Sequence, residues 1–166
     1  MKTAFFVRHA KSSWEHPILS DEKRPLNSRG KRDGPYMASM MSLKEAPADV
    51  LISSSAARAK KTATYFRKAF GLKKKDLLID TRLYLASPGT MIDVLRELPD
   101  SYDVVYLFGH NPGMTEIANY FSDEFVDNVP TCGVVKITCE INSWHEMNQA
   151  NSRRTAFYYP KIFNLL

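Results

Sequence analysis

Residues 3–10 read Thr-Ala-Phe-Phe-Val-Arg-His-Ala, a short apolar and β-branched run that ends abruptly in an arginine and a histidine. Such a run predicts a strand, and its end places two chemically capable side chains at a strand terminus. Runs of the same kind recur at 50–53, 77–79, 104–108, 133–138 and 155–159. Between them the apolar residues take helical spacing: Met37, Met40 and Met41; Ala59, Ala63, Phe66 and Phe70; Met91, Ile92, Leu95 and Leu98; Met114, Ile117, Ala118 and Phe121. Ser87-Pro88 and Asn111-Pro112 each pair an N-capping residue with a proline suited to the first helical position. Gly34-Pro35 is expected to break or kink the helix that begins near Ser28, giving two pieces. Strands alternating with helices predict an α/β sandwich, mostly parallel, with helices on both faces and ligands at the carboxyl ends of the strands.

With 166 residues, 44% hydrophobic and 25% charged, the chain has the size of one compact domain whose core needs neither disulfides nor structural metal. Residues 1–166 are therefore expected to form a single domain. Charged residues follow the first strand directly and no apolar run is long enough to span a bilayer, so no membrane association and no signal peptide are expected. Cys132 and Cys139 are seven apart in an alternating stretch, which predicts side chains on opposite faces and a reducing, cytoplasmic compartment. The net charge of +5 comes partly from Lys60-Lys61 and Lys73-Lys74-Lys75, which read as solvated surface. Aromatic residues are not interleaved with them and no docking motif is present, so no nucleic-acid partner is expected.

Three strand ends share one property. The first runs into Arg8-His9, the second into Ser53-Ser54-Ser55 with Arg58 beyond, and the fourth into Gly109-His110-Asn111. In a parallel sheet all three open onto one edge. Two arginines and two histidines converging there suit a tetrahedral dianion, because guanidinium forks match pairs of phosphate oxygens and imidazole can attack or donate. The four histidines lie far apart and lack carboxylates or cysteines at metal-ligand spacing, so neither a metal nor another cofactor is expected. His16 and His145, beside Glu15 and Glu146, read as surface residues. Lys11 and Asn111 have bland roles as readily as functional ones, Asn111 as a helix cap.

The segments Phe6-Val7-Arg8-His9-Ala10 with Lys11-Ser12-Ser13-Trp14, Asp21-Glu22-Lys23-Arg24-Pro25-Leu26 with Arg29-Gly30, Ser53-Ser54-Ser55-Ala56-Ala57-Arg58-Ala59 and Gly109-His110-Asn111-Pro112-Gly113 occur in that order. Together they resemble the histidine phosphatase superfamily, which includes phosphoglycerate mutase and the acid phosphatases, and in particular its short bacterial phosphohistidine phosphatase branch. The resemblance spans residues 3 to about 122. It implies a phosphoglycerate mutase-like, three-layer α/β/α sandwich. It also implies that His9 is a nucleophile, that Arg8 and Arg58 hold phosphate oxygens, and that His110 donates a hydrogen bond that strengthens as charge builds.

The sequence departs from the wider superfamily in one place. The mutases and many small-molecule phosphatases carry a glutamate after the third strand that protonates the leaving oxygen, whereas the matching stretch here is Arg82-Leu83-Tyr84-Leu85-Ala86, with leucine in that place. A neutral imidazole leaves without such an acid. The roughly twenty residues between Ile79 and Pro99 leave no room for a folded lid. The resulting expectation is a metal-independent phosphatase acting on a phosphohistidine-bearing protein, such as a histidine-phosphotransfer domain or a phosphotransferase carrier. Two alternatives stand beside it: a small-molecule phosphomonoesterase, with Asp80, Asp93 or Glu97 as a substitute acid, and a non-catalytic phosphohistidine-binding module.

Overall fold

The computed structural model describes residues 1–163 and contains one six-stranded sheet. In chain order the elements are β1 (Lys2–Arg8), α1 (Ser28–Lys44), β2 (Val50–Ser53), α2 (Ala57–Ala69), β3 (Leu77–Ile79), α3 (Pro88–Arg96), β4 (Val104–Gly109), α4 (Gly113–Tyr120), β5 (Val134–Cys139) and β6 (Ser152–Tyr158). The strands lie in the order β3-β2-β4-β1-β5-β6. The first three contacts across the sheet are parallel, and β5 and β6 add antiparallel at one end. This is the expected α/β/α sandwich with a mostly parallel sheet.

Successive side chains of a strand point to opposite faces, and both faces here are dry. Phe5, Val7, Leu51, Tyr106 and Phe108 pack under α1 and α2 against Met37, Met41, Ala63 and Phe66. Ala4, Phe6, Ile52, Val105 and Leu107 pack on the other side against Met91, Leu95, Met114 and Ile117 from α3 and α4. Cys132 belongs to the first core and Cys139 to the second, so both are buried, free and on opposite faces. Among the described residues no helix is long and apolar enough to cross a membrane.

The expected break at Gly34-Pro35 does not occur: α1 runs unbroken through both residues. Pro35 is on the solvent side, where water can satisfy the carbonyl that loses its N–H partner, while Gly34 is buried and Met37, Ala38 and Met41 anchor the far half in the core. Core packing outweighs the local penalty. Strand β6 also starts earlier than expected, at Ser152, because its arginines pair with β5 as well as its apolar residues do. Ser87 caps α3 as read, its side chain accepting from Thr90 N. Helix α4 begins at Gly113, one residue later than expected, so Pro112 takes the N-cap position, while the Asn111 side chain just before it still accepts from Thr115 N in the first turn.

The start of α1 is fitted tightly behind the first strand. The Asn27 side chain caps the helix by accepting from Gly30 N at 2.9 Å, and a Cβ on Gly30 would sit 2.2 Å from the Lys11 carbonyl oxygen. An exposed helical Gly→Ala change stabilises by about 1 kcal/mol. Gly30→Ala is expected to do the reverse, destabilising by about 1–3 kcal/mol through overpacking against backbone. A melting midpoint at or above that of the unsubstituted protein would contradict this contact.

Candidate active site

Parallel pairing sets Arg8 opposite Gly109 and Ser53 opposite Phe108, so three strands end at one level. The residues that follow, His9, Ser54 and His110, are consequently neighbours, and Arg58 reaches them from the first turn of α2. The structure brings together all four residues singled out from the sequence. The two imidazole centroids are 5.1 Å apart. A pocket of about 150 Å³ lies among Arg8, His9, Arg58, His110 and Leu85, with Trp14 and Arg24 at its side.

His9 is held in one useful tautomer. Its Nδ1 donates to the Ala10 carbonyl at 2.7 Å, which leaves the lone pair on Nε2. Arg58 Nε, a donor only, approaches that Nε2 at 3.3 Å. Burial pushes the His9 pKa down to about 3; the Ala10 carbonyl opposes this, and the charges of Arg58, Arg8 and, where it is protonated, His110 add to it. Burial and Arg58 likewise lower that of His110 to about 4. Both rings are therefore neutral at pH 7.

His110 Nε2 lies 2.8 Å from Ser54 Oγ, and Arg58 Nη2 approaches its Nδ1 at 3.4 Å. Because Arg58 Nη2 can only donate, Nδ1 is the acceptor here and Nε2–H donates to the Ser54 hydroxyl, which also accepts from Ala56 N at 3.2 Å. Arg8 donates from Nη1 to the Val129 carbonyl at 3.0 Å, while its buried Nε has no partner among the described residues. A buried guanidinium N–H without an acceptor beside an anion-sized pocket is a donor waiting for a ligand.

The sequence reading missed the frame around Arg58. Asp21 accepts from Arg58 Nη1 through its backbone carbonyl at 2.7 Å and from Arg58 Nη2 through its carboxylate at 3.0 Å. The same carboxylate accepts from Arg24 Nη1 at 2.9 Å and from the Tyr84 hydroxyl. Those donors, Tyr84 first and then Arg24 and Arg58, hold the Asp21 pKa well below the usual carboxylate range. Arg24 is itself fixed by Ser13 and Ser12, and it stacks 3.3 Å from the Trp14 ring centroid. The available signal was an aspartate three residues before an arginine within the 21–26 block.

Leu85 lines the pocket, 55% exposed, in a left-handed backbone conformation (φ 52°). Asp80 and Glu97 are engaged with Arg82 and Asp93 pairs with Arg96, and none of these carboxylates lines the pocket. His16 and His145 are exposed surface residues, as expected.

The sequence profile of the histidine phosphatase superfamily (branch 1) matches residues 4–105. The chain belongs to that superfamily. A structure from Agrobacterium tumefaciens with the provisional name phosphohistidine phosphatase SixA is 25% identical, covers 96% of this chain and 98% of its own, and superposes with a TM-score of 0.79. The protein histidine phosphatase SixA complexed with tungstate is 17% identical with a TM-score of 0.81, covering 97% of this chain and 99% of its own. A protein of Mycobacterium tuberculosis is 24% identical over 93% of this chain and 100% of its own length, and its name states no activity. The short SixA-like branch is thus the setting in which this histidine phosphatase fold is to be understood.

The depressed His9 pKa carries a sign that can be tested. Protonation removes the Nε2 lone pair, so the neutral form must persist well below the ordinary histidine value of about 6.5. We expect kcat/KM for an aryl phosphate, referred to the ionised substrate, to stay level from about pH 7 down to about pH 5. An NMR titration placing the His9 midpoint near 6.5 would contradict the burial seen here.

Proposed function

We propose that this chain is a single-domain, cytoplasmic phosphatase that removes the phosphoryl group from phosphohistidine on a protein substrate, through a covalent phosphohistidine formed at His9 without a metal. The observation that carries the reading is the pairing of a complete phosphate cluster, Arg8, His9, Arg58 and His110, with Leu85 in place of a proton donor. The SixA name of the 25%-identical structure supports it.

In the first step the His9 Nε2 lone pair attacks phosphorus as the substrate P–N bond breaks, and the leaving imidazole keeps the bonding pair. That ring departs as a neutral base because its other nitrogen already carries a proton. In the second step water attacks the phosphoryl group on His9, losing a proton as phosphate forms and returning the electron pair to Nε2. Two in-line displacements replace one harder step. Arg8 and Arg58 hold the equatorial oxygens, and His110 donates through Nδ1 once Arg58 Nη2 has turned to the phosphoryl group and Ser54 donates to Nε2. The two arginines are held before reaction, Arg8 by the Val129 carbonyl and Arg58 by Asp21, so they need little reorganisation as charge develops.

The protein substrate is argued from the shape of the mouth. A pocket of about 150 Å³ accommodates a phosphoryl group and little of what it is attached to. Two large apolar side chains stand exposed at its rim, Trp14 at 74% and Leu85 at 55%, among the polar Lys11, Arg24, Asn111 and Thr131. Exposed apolar side chains grouped round a reactive pocket suit contact with another protein surface.

The decisive experiment incubates the protein with a phosphohistidine protein and with an alkyl phosphate, both in chelator, and measures released phosphate. Turnover of the first far above the second is expected, with an aryl phosphate of acidic phenol between them. Equal rates on alkyl phosphate and phosphohistidine would mean that another group supplies a proton and that the substrate is an ester. His9→Ala is expected to abolish turnover while circular dichroism shows an intact fold. Arg58→Ala is expected to lower kcat by ~10²–10³-fold, the scale of losing an oxyanion donor. Leu85→Glu is expected to raise alkyl phosphate hydrolysis by up to ~10²-fold and to leave phosphohistidine turnover nearly unchanged.

A further inference from the structure

In an in-line displacement the leaving atom lies across phosphorus from the attacking one. His9 is buried where it lines the phosphate pocket, so attack comes from inside and the leaving group stands at the mouth, where Trp14 and Leu85 are exposed. With about 150 Å³ of space, the pocket takes the phosphoryl group and leaves the ring of a phosphohistidine outside. Whatever recognises the leaving group is therefore on the rim.

Trp14 is held there as a fixed surface, and Arg24 is what holds it. The Arg24 guanidinium carbon sits 3.3 Å from the indole centroid and covers one face of the ring. Each of its three nitrogens is engaged: Nε with the Ser13 carbonyl at 3.0 Å, Nη1 with Asp21 Oδ1 at 2.9 Å and Nη2 with Ser12 Oγ at 2.6 Å. This buried arginine therefore backs the indole, although it borders the pocket. Trp14 is itself 74% exposed, which leaves the opposite face open. A side chain fixed in advance loses little further freedom when a ligand packs on it. A cation already on one face makes the other a poor site for a second cation and suits a neutral, flat partner.

We propose that the open face of Trp14 stacks on the leaving imidazole of the substrate, which makes Trp14 the residue by which this site prefers phosphohistidine to other P–N phosphoryl donors. The inference rests on the reading of this chain as a phosphohistidine phosphatase and adds to it a means of selecting the leaving group. On that reading Leu85 disfavours leaving groups that need a proton, and Trp14 favours, among the remainder, those that are flat and neutral. A phospholysine side chain also breaks at a P–N bond, but it presents no ring to the indole.

The test uses the full chain and two peptides of one sequence, phosphorylated at the same position on histidine or on lysine. The ratio of their kcat/KM values is expected to favour histidine and to fall by about three- to tenfold in Trp14→Ala, mainly through KM, the scale of one aromatic contact. Trp14→Phe is expected to keep most of the ratio. The ratio does not depend on how much of each variant is folded. A ratio unchanged in Trp14→Ala would overturn the inference and leave phosphohistidine hydrolysis standing; equal losses on both peptides would assign Trp14 to contact with the protein around the phosphorylated residue. If neither peptide is cleaved, phosphohistidine hydrolysis fails, and calorimetry then compares phenylphosphonate, whose ring is bonded to phosphorus as imidazole is in phosphohistidine, with methylphosphonate. Binding of the phenyl compound tighter by about three- to tenfold, with the advantage lost in Trp14→Ala, would still uphold the stacking surface. No such advantage, or one that survives the substitution, would overturn it. Trp14 is one of two tryptophans and the other, Trp144, is fully buried, so phenylphosphonate is also expected to shield the exposed indole fluorescence from acrylamide. Quenching unaltered by saturating phenylphosphonate would likewise overturn the inference.

Discussion

Arg8 stands opposite Gly109 in the parallel pairing of β1 and β4, and the site depends on that register. Phe5 stacks on Tyr106 at 4.3 Å under α2, while Ala4 and Phe6 fill the core on the other face. A slip of one residue would turn every side chain of β1 to the wrong layer, so burial on both faces locks the register. The imidazoles that follow Arg8 and Gly109 inherit their spacing from this packing. Ring orientation is then set by the Ala10 carbonyl at His9 Nδ1 and by Ser54 at His110 Nε2, which leaves Nε2 of His9 facing the pocket.

The second constraint is electrostatic. Arg58 is 3% exposed and lies against both histidines, so a proton on either ring would add charge to a desolvated cationic site. Asp21 balances that site from its rim, spreading one carboxylate over Arg24, Arg58 and Tyr84. Because these donors keep it ionised, Asp21 is poorly suited to deliver a proton to a leaving group. The carboxylate nearest the chemistry thus acts on Arg58, whose guanidinium it orients.

The strands, their faces and the convergence at one sheet edge were legible because they depend on local pattern. Apolar runs, helical spacing and strand-end polar residues each report on their own few positions. Gly34-Pro35 misled for the opposite reason: the local rule is correct, but the buried anchors of α1 lie on either side of it and hold the helix together. The frame of Asp21, Arg24, Tyr84 and Ser54 was not legible, since Tyr84 meets Asp21 across 63 positions of chain and no spacing encodes that meeting.

Leu85 connects these levels. Its left-handed backbone is costly for a branched side chain, by about 1–3 kcal/mol, and such strain persists only where neighbours enforce it. The enforcement is visible: Gly113 admits the Ala86 carbonyl where a Cβ would lie 2.2 Å from it, so the loop is seated on the first residue of α4. That helix begins just after His110, and its placement follows from the β4 register. The side chain presented to the leaving group is therefore set by the same packing that sets the imidazoles. On the proposed chemistry, leucine there leaves the pocket supplying charge stabilisation to the phosphoryl group but no proton at that position. On the proposed chemistry this is a filter, because among phosphoryl donors only those whose leaving group departs without help are turned over well, and phosphohistidine meets that condition through its own ring.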